Sequence, residues 1–344
     1  MDIYEVTIGI PVFQSKDYIR DAVLSALSQT FKSIEFLVVD DIGKDGSIAE
    51  IKLLQEHHRR GSDIRIIVNE HNRGVGYSRN RIIDEARGRY LYFMDSDDTI
   101  EPNTIQLLYD AVVKNQAEVA YGSYEIVDLS APHRSEVYQK DDVCLSGDGQ
   151  LAEYALSHVG RFHVSACNCL MDLEFLRQSG VRFINTNYWE DMAFTYELVP
   201  KVTRAVLLSC VTYHYLRHSG SLSHYQAREQ LQKEEVLANA STLNYLKEKC
   251  KAYRGQSFLP YMCYNLELNS FYIVCHILKN AHLIVPGFSH HEMRDILCHP
   301  LSLSDILRFR SMLLQNLLFW LIGRLPIPLF SVSVKVLGKL KRAI

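Results

Sequence analysis

An apolar stretch long enough to cross a bilayer is missing from the C-terminal end. "MLLQNLLFWLI" at 312–322 covers eleven residues and is interrupted by Gln315 and Asn316, whereas a spanning helix needs roughly 20. CxxC pairs are absent too. The eight cysteines are scattered, and the close pair Cys167 and Cys169 forms a C-x-C without zinc spacing. Reduced thiols in a cytosolic protein are therefore expected, not a disulfide framework. The opening "MDIYEVTIGIPVF" lacks a basic n-region, so no secretory signal peptide is expected. No G-x-G-x-x-G follows the first apolar run, where "PVFQSKDY" stands instead; this argues against a dinucleotide oxidoreductase. The same place lacks the Gly-rich basic loop that a sugar-nucleotide pyrophosphorylase would need to hold a triphosphate. Internal repeats and low-complexity segments are missing as well.

What is present is ordinary in bulk and uneven in detail. The 344 residues are 47% hydrophobic and 22% charged, enough for one large domain or two medium ones. Net charge is −3, so nucleic acid is not an expected partner. From Ile306 onward there are seven basic residues (Arg308, Arg310, Arg324, Lys335, Lys339, Lys341, Arg342) and no acid, which leaves −10 on the first 305. With Pro326, Pro328 and the end "KVLGKLKRAI", residues 306–344 fit an amphipathic segment lying on an anionic leaflet. Packing of a C-terminal helix on the body or on a partner subunit is the alternative.

The pattern along the first third alternates. Apolar runs at 6–13, 34–41, 63–68 and 89–94 read as buried strands. Helical spacing appears at 17–30, with Ile19, Ala22, Val23, Ala26 and Leu27, and again over 76–87. Ser47 with Glu50 reads as a capping box for a helix over 47–58. Pro102 suits the first turn of a helix carrying Ile105, Leu108, Ala111 and Val112. Continuous apolar strands separated by helices mark a mostly parallel, doubly wound sheet covered on both faces. After residue 118 the pattern loosens: a strand in "EVAYGSYEIV", a polar loop over 129–149, a helix over 172–179 closed by Gly180, and a largely helical stretch over 226–280. The expected organisation is 1–225 as a catalytic domain (1–118 for the nucleotide, 119–225 for the acceptor), 226–305 as a helical extension, and 306–344 as the basic amphipathic tail.

In such sheets ligands bind beyond the carboxyl ends of the strands, where strand order reverses. The residues waiting there are Phe13, Asp40, Asp41, Asn69 and the cluster Asp95, Asp97 and Asp98 of "YLYFMDSDDT". Like charges this close repel and resist desolvation. In an extended segment Asp95 and Asp97 would point the same way and could share one hard cation, Mg²⁺ or Mn²⁺, with substrate phosphates completing the shell. The competing reading is a solvated acidic turn in which Asp98 caps the following helix. Asp40 or Asp41 could accept hydrogen bonds from a ribose or base, or merely close a turn. Gly74 and Gly76 in "HNRGVGYSRN" precede a helix, with Arg73, Arg79 and Asn80 nearby, and a helix N-terminus approached by glycine backbone favours phosphate.

Four segments share order and spacing with one family: "IPVFQSKDYIRDAVLSALSQTFKSIEFLVVDD", "HNRGVGYSRNRIIDEARGRYLYFMDSDD", "YWED" and "YHYLRHSGSLS". Over the first 220 residues the chain resembles an inverting family-2 glycosyltransferase of the GT-A fold, of the kind that builds bacterial polysaccharide or glycolipid. The resemblance implies nucleoside contacts at Pro11, Phe13 and Asp41, metal and sugar-nucleotide contacts at Asp95 and Asp97, and a catalytic base at Asp191 beside Glu190. A UDP-sugar donor, a divalent Mn²⁺ or Mg²⁺, and a glycan or lipid-linked acceptor follow from it. Together with the basic apolar tail, the resemblance also points to a place on the inner face of the plasma membrane, with peripheral contact through 306–344. Arg79 would help stabilise the leaving diphosphate. Arg217, His218 and Ser221 could form a lid over it, or an ordinary polar loop. Phe13-Gln14 stands where the family often has Tyr-Asn, and "DDIGKDGS" where it often has "DDGSTDGS". A catalytically inactive sugar-nucleotide-binding scaffold at the membrane is the alternative to the enzyme.

Overall fold

The computed structural model describes residues 4–131, 135–158, 162, 164–186, 188–218 and 230–341. They cluster into two compact units, 1–151 with 160–225, and 152–159 with 226–344.

The first unit is built on one mixed sheet. Its opening half reads β1 (Tyr4–Val12), α1 (Ile19–Leu27), β2 (Ile34–Asp40), α2 (Ser47–His57), β3 (Ile64–Val68), α3 (Val75–Glu85) and β4 (Gly88–Phe93). Then come β5 (Thr99–Ile100), α4 (Thr104–Asn115), β6 (Val119–Asp128), β7 (Glu136–Tyr138) and β8 (Val143–Ser146), followed by α5 (Gln150–Ser157), which from residue 152 on belongs to the second unit. The half closes with β9 (Cys169–Asp172), α6 (Leu173–Ser179), α7 (Glu190–Leu198) and β10 (Arg204–Arg217). The strands lie in the order β3-β2-β1-β4-β9-β6-β10-β5, with β7 on β6 and β8 on β10. β1 pairs in parallel with β2 on one side and β4 on the other. Strand order therefore reverses at β1, and the crevice beyond Val12 and Phe93 is a switch point of the kind that holds ligands. β9 runs antiparallel between β4 and β6, which makes the sheet mixed.

Both faces of β1 are covered. Val6, Ile8 and Ile10 are fully buried, and so is Thr7 between them. Thr7 donates to Glu35 Oε2 at 2.7 Å, and Arg65 meets the other oxygen of Glu35 at 2.8 Å, so the buried carboxylate is paired. Gly9 lets α3 approach closely: a Cβ there would collide with Ile82. That approach carries Arg79, one turn earlier on α3, towards the switch point.

Three local expectations need correction. α2 starts without a capping box, because Ser47 donates to Asp45 instead (2.7 Å) and Gly46, at φ 97°, precedes the helix. Asp45 also accepts from the Lys16 amide at 2.9 Å, and Ser47 Oγ from the Ser15 amide at 3.0 Å, so this pair fastens the loop after β1. Pro102 lies outside α4, which begins at Thr104 after Asn103; its carbonyl accepts from Thr30 at 2.8 Å. The polar stretch 129–149 contains β7 and β8, strands too short to show an alternating pattern.

The second unit is helical: α8 (Lys233–Cys250), α9 (Leu259–Lys279), α10 (His290–Ile296), α11 (Leu303–Ile306), α12 (Leu313–Ile322) and α13 (Ile327–Leu340). α9 is its core, with Leu266, Phe271 and Val274 fully buried. Glu267 on α9 is paired with Lys247 of α8 at 2.8 Å, and Lys247 also donates to the Ile296 carbonyl at 2.9 Å. Asn316, which breaks the apolar run of α12 in sequence, is fully buried and donates to the Pro260 carbonyl at 3.0 Å while facing His299 Nε2 at 3.1 Å. It is a polar staple within the helical core. Residues 226–305 and 306–344 thus belong to one packed unit.

Candidate active site

Beyond the carboxyl ends of β1 and β4 the first unit opens into a cavity of about 1130 Å³. Pro11, Phe13 and Asp41 line one part of it, Asp95, Asp97 and Asp98 another, and Arg79, Glu190, Asp191, Arg217 and His218 the rest. Asp40 and Asn80 do not line it. Asp40 closes a local turn by accepting from the Ile42 amide at 2.8 Å. Asn80 exchanges two hydrogen bonds with the Phe183 backbone, at 2.8 and 2.9 Å, and so holds the segment that leads to α7. Ser221 lies outside the described residues.

Asp41 is buried, 3% exposed. Its Oδ1 accepts from Asn69 Nδ2 at 2.7 Å and the Arg73 amide at 2.9 Å, and its Oδ2 from the Gly74 amide at 2.8 Å. Gly74 adopts φ 85°, a conformation glycine reaches without strain. The carboxylate therefore shapes the loop before α3, and Oδ2 keeps acceptor capacity for a ligand. Phe13, by contrast, is 45% exposed, an apolar plate at the mouth of the cavity.

Arg79 stands at the centre of the charge network and is 3% exposed. Nη1 donates to Glu190 Oε1 at 2.9 Å and to Asp191 Oδ1 at 2.6 Å; Nη2 donates to Asp95 Oδ1 at 2.8 Å. Its guanidinium lies 5.4 Å from the Phe183 ring centre. Burial presses its pKa down, but Asp191, Asp95 and Glu190 more than reverse this, holding it well above the usual value. Both terminal nitrogens are engaged by carboxylates, so Arg79 bridges the three acids.

Asp191 opens α7. Burial, with Glu190 and Asp95 adding to it against the opposing pull of Arg79, raises its pKa to about 7. A carboxylate poised there is matched to taking a proton near neutral pH. Trp189 precedes it at φ 61°; this left-handed residue turns the chain sharply into the helix, so the two acids reach inward in its first turn.

The three acids after β4 have separate surroundings. The backbone turns at 96–97, so the extended geometry expected for Asp95-Ser96-Asp97 is not adopted. Asp95 faces Arg79, and Asp97 Oδ2 lies 3.0 Å from His218 Nε2. His218 stacks on Tyr18 with ring centres 3.9 Å apart. Burial and the charge of Asp95 push Asp97 above the usual carboxyl range, with His218 partly offsetting them. Asp98 is 1% exposed; it accepts from Tyr213 Oη at 2.6 Å and from the Leu216 amide at 2.8 Å. It ties β10 to the end of β4 and does not cap α4. The Tyr213 hydroxyl also accepts from the Asp95 amide at 3.2 Å. Tyr213 is a residue that pattern reading missed, because nothing local distinguishes it among the tyrosines of β10.

Among the described residues no group of three or more His, Cys, Asp or Glu side chains forms a self-contained metal cage. A hard cation that keeps waters and phosphate oxygens needs only one or two protein carboxylates. Asp95 and Asp97 supply hard oxygen donors, and the pKa of Asp97, raised first by burial and then by the charge of Asp95, belongs to a carboxylate whose ionised form a cation would favour. The residues present fit such an ion.

Residues 7–180 match the profile of glycosyl transferase family 2. The chain is 26% identical over 224 residues to glycosyltransferase GlyG of Streptococcus pneumoniae, covering 63% of this chain and 72% of GlyG. It is 27% identical over 266 residues to the Escherichia coli UDP-Glc:alpha-D-GlcNAc-diphosphoundecaprenol beta-1,3-glucosyltransferase WfaP, covering 76% of this chain and 96% of WfaP. The crystal structure of S. aureus TarS 1-349 in complex with UDP-GlcNAc superposes with a TM-score of 0.63 at 16% identity, over 93% of this chain and 90% of TarS 1-349. The fold is therefore that of GT-A enzymes, and the chain belongs to glycosyl transferase family 2.

Proposed function

We propose that this protein moves a sugar from a UDP-sugar, with inversion, to a hydroxyl of a lipid-linked or surface glycan. The carrying observation is the meeting of a near-neutral carboxyl, Asp191, and the acidic pair Asp95 and Asp97 in one cavity. The donor is supported by the UDP-Glc named for WfaP and the UDP-GlcNAc bound to TarS, and the acceptor by the diphosphoundecaprenol substrate named for WfaP. Envelope polysaccharide synthesis at the inner face of the plasma membrane is the matching setting.

In this reading residues 1–118 hold the donor and 119–225 the acceptor. Pro11, Phe13 and Asp41 receive the nucleoside, with the Phe13 ring as a stacking surface. Asp95 and Asp97 hold Mn²⁺ or Mg²⁺. When bound, that ion supplies positive charge against the leaving diphosphate. Asp191 takes the acceptor proton as the hydroxyl attacks, and Glu190 orients it through their shared hydrogen bonds to Arg79. One displacement inverts the anomeric carbon. Arg217 and His218 close over the donor, His218 already resting against Asp97.

A screen of sugar nucleotides for hydrolysis and transfer with Mn²⁺ tests the reading; absence of turnover with every donor, together with metal-independent UDP binding, would refute it. Asp97→Ala is expected to abolish the tightening of UDP binding by Mn²⁺, a loss of about 100-fold or more, read by titration calorimetry with and without the metal. Unchanged metal dependence would remove Asp97 from the metal site.

A further inference from the structure

Among the described residues, two helices of the second unit carry exposed apolar faces flanked by positive charge. On α12, Leu314, Leu318 and Leu321 recur at i, i+4 and i+7, and they are 76%, 44% and 54% exposed. The opposite face, Asn316, Phe319 and Ile322, is buried. On α13, Leu329, Val332, Val336 and Leu340 recur at i, i+3, i+7 and i+11, and all are more than half exposed. Phe330, Val334 and Gly338 face inward. At 3.6 residues per turn each exposed set forms a single stripe.

We propose that α12 and α13 lie flat on an anionic lipid surface, with these stripes entering the acyl boundary. Three observations select that occupant. Scattered single apolar side chains would need no explanation, but stripes on consecutive helices do. The charge beside them is of one sign: Lys335, Lys339 and Lys341 are exposed along and after α13, and no acid occurs from residue 306 to the end. That suits an anionic headgroup layer, whereas a second copy of the same face would bring like charges together. Arg324 lies 3.9 Å over the Trp320 ring, an aromatic–cation pair of the kind that settles at headgroup level. Among the described residues no helix is long and apolar enough to cross a membrane, so contact is from one side, as for other interfacial helices.

The test uses the full chain and vesicles of phosphatidylcholine alone or mixed with phosphatidylglycerol. Co-sedimentation is expected with the mixed vesicles and weak or absent with the neutral ones, falling at high salt. Lys335→Glu with Lys339→Glu should lower binding at least tenfold, and so should Val332→Asp with Val336→Asp, which adds charge to the stripe without touching a buried residue. Equal binding to both vesicle types, no binding to either, or unchanged binding by the variants would overturn the proposal, as would a stable dimer that the Val332/Val336 variant dissociates. UDP-sugar hydrolysis in the same variants should match the parent. In the parent chain, binding to the mixed vesicles without hydrolysis of any UDP-sugar would count against the enzymatic reading alone, and hydrolysis without vesicle binding against the docking face alone.

Discussion

Asp191→Asn is expected to lower kcat by about 10³-fold, the usual scale of a general base, while Mn²⁺-dependent UDP affinity stays unchanged. The amide occupies the same space but cannot accept the acceptor proton. The pH profile supplies a second readout. In the parent, the raised pKa keeps Asp191 protonated, and inactive as a base, below about 7. kcat/KM should therefore rise with pH and level off above that value. In Asp191→Asn the residual activity should lose this acidic limb. Burial is the largest cause of the shift, with Glu190 and Asp95 adding to it, so Glu190→Gln should move the limb to lower pH. Stopped transfer assays between pH 5 and 9 would decide it: an unaltered acidic limb in Asp191→Asn would assign the base elsewhere.

How much of this was readable before the structure depends on the range of each signal. The strands at 6–13, 34–41 and 89–94 show as apolar runs because β1, β2 and β4 lie inside the sheet and are almost wholly buried, whereas the run at 63–68 expected to be buried is the edge strand β3, mostly half-buried with Val68 exposed. The acids sit just past those runs because a parallel sheet puts its ligand edge there. What stayed hidden is pairing across distance. Arg79 meets Glu190 and Asp191 over separations of 111 and 112 residues, and Asp98 meets Tyr213 over 115. No periodicity encodes such contacts. Arg79 and Asn80 both looked like phosphate ligands from their place beside Gly74 and Gly76; in the fold one bridges carboxylates and the other holds the Phe183 backbone. A strand in "HVSACNCLM" before the helix over 172–179 can be read from the sequence, but not its antiparallel pairing: at four residues, Cys169–Asp172, β9 is too short to announce its direction.

Removing the bridge itself should have the largest structural effect. Arg79→Met keeps the unbranched stem of the side chain and deletes the guanidinium, leaving Asp95, Glu190 and Asp191 crowded without compensation. Breaking a buried pair in this way costs about 3–5 kcal/mol, read as a lower denaturation midpoint. The deficit should depend on pH with a definite sign. Arg79 now lowers the pKa of Asp191; without it the folded-state value rises further above the unfolded one. A carboxyl raised on folding contributes stability at low pH that is lost as pH climbs through the folded value. Arg79→Met should therefore be closest to the parent near pH 5 and fall behind most above 7, and its acidic limb in kcat/KM should shift upward. Arg79→Lys restores the charge without the planar fork, so it should recover much of the stability but less of kcat. If Arg79→Met instead unfolds like the parent, keeps the parental pH profile and loses only UDP affinity, the guanidinium is a diphosphate ligand after all, and the acids at the mouth of α7 are oriented by something else.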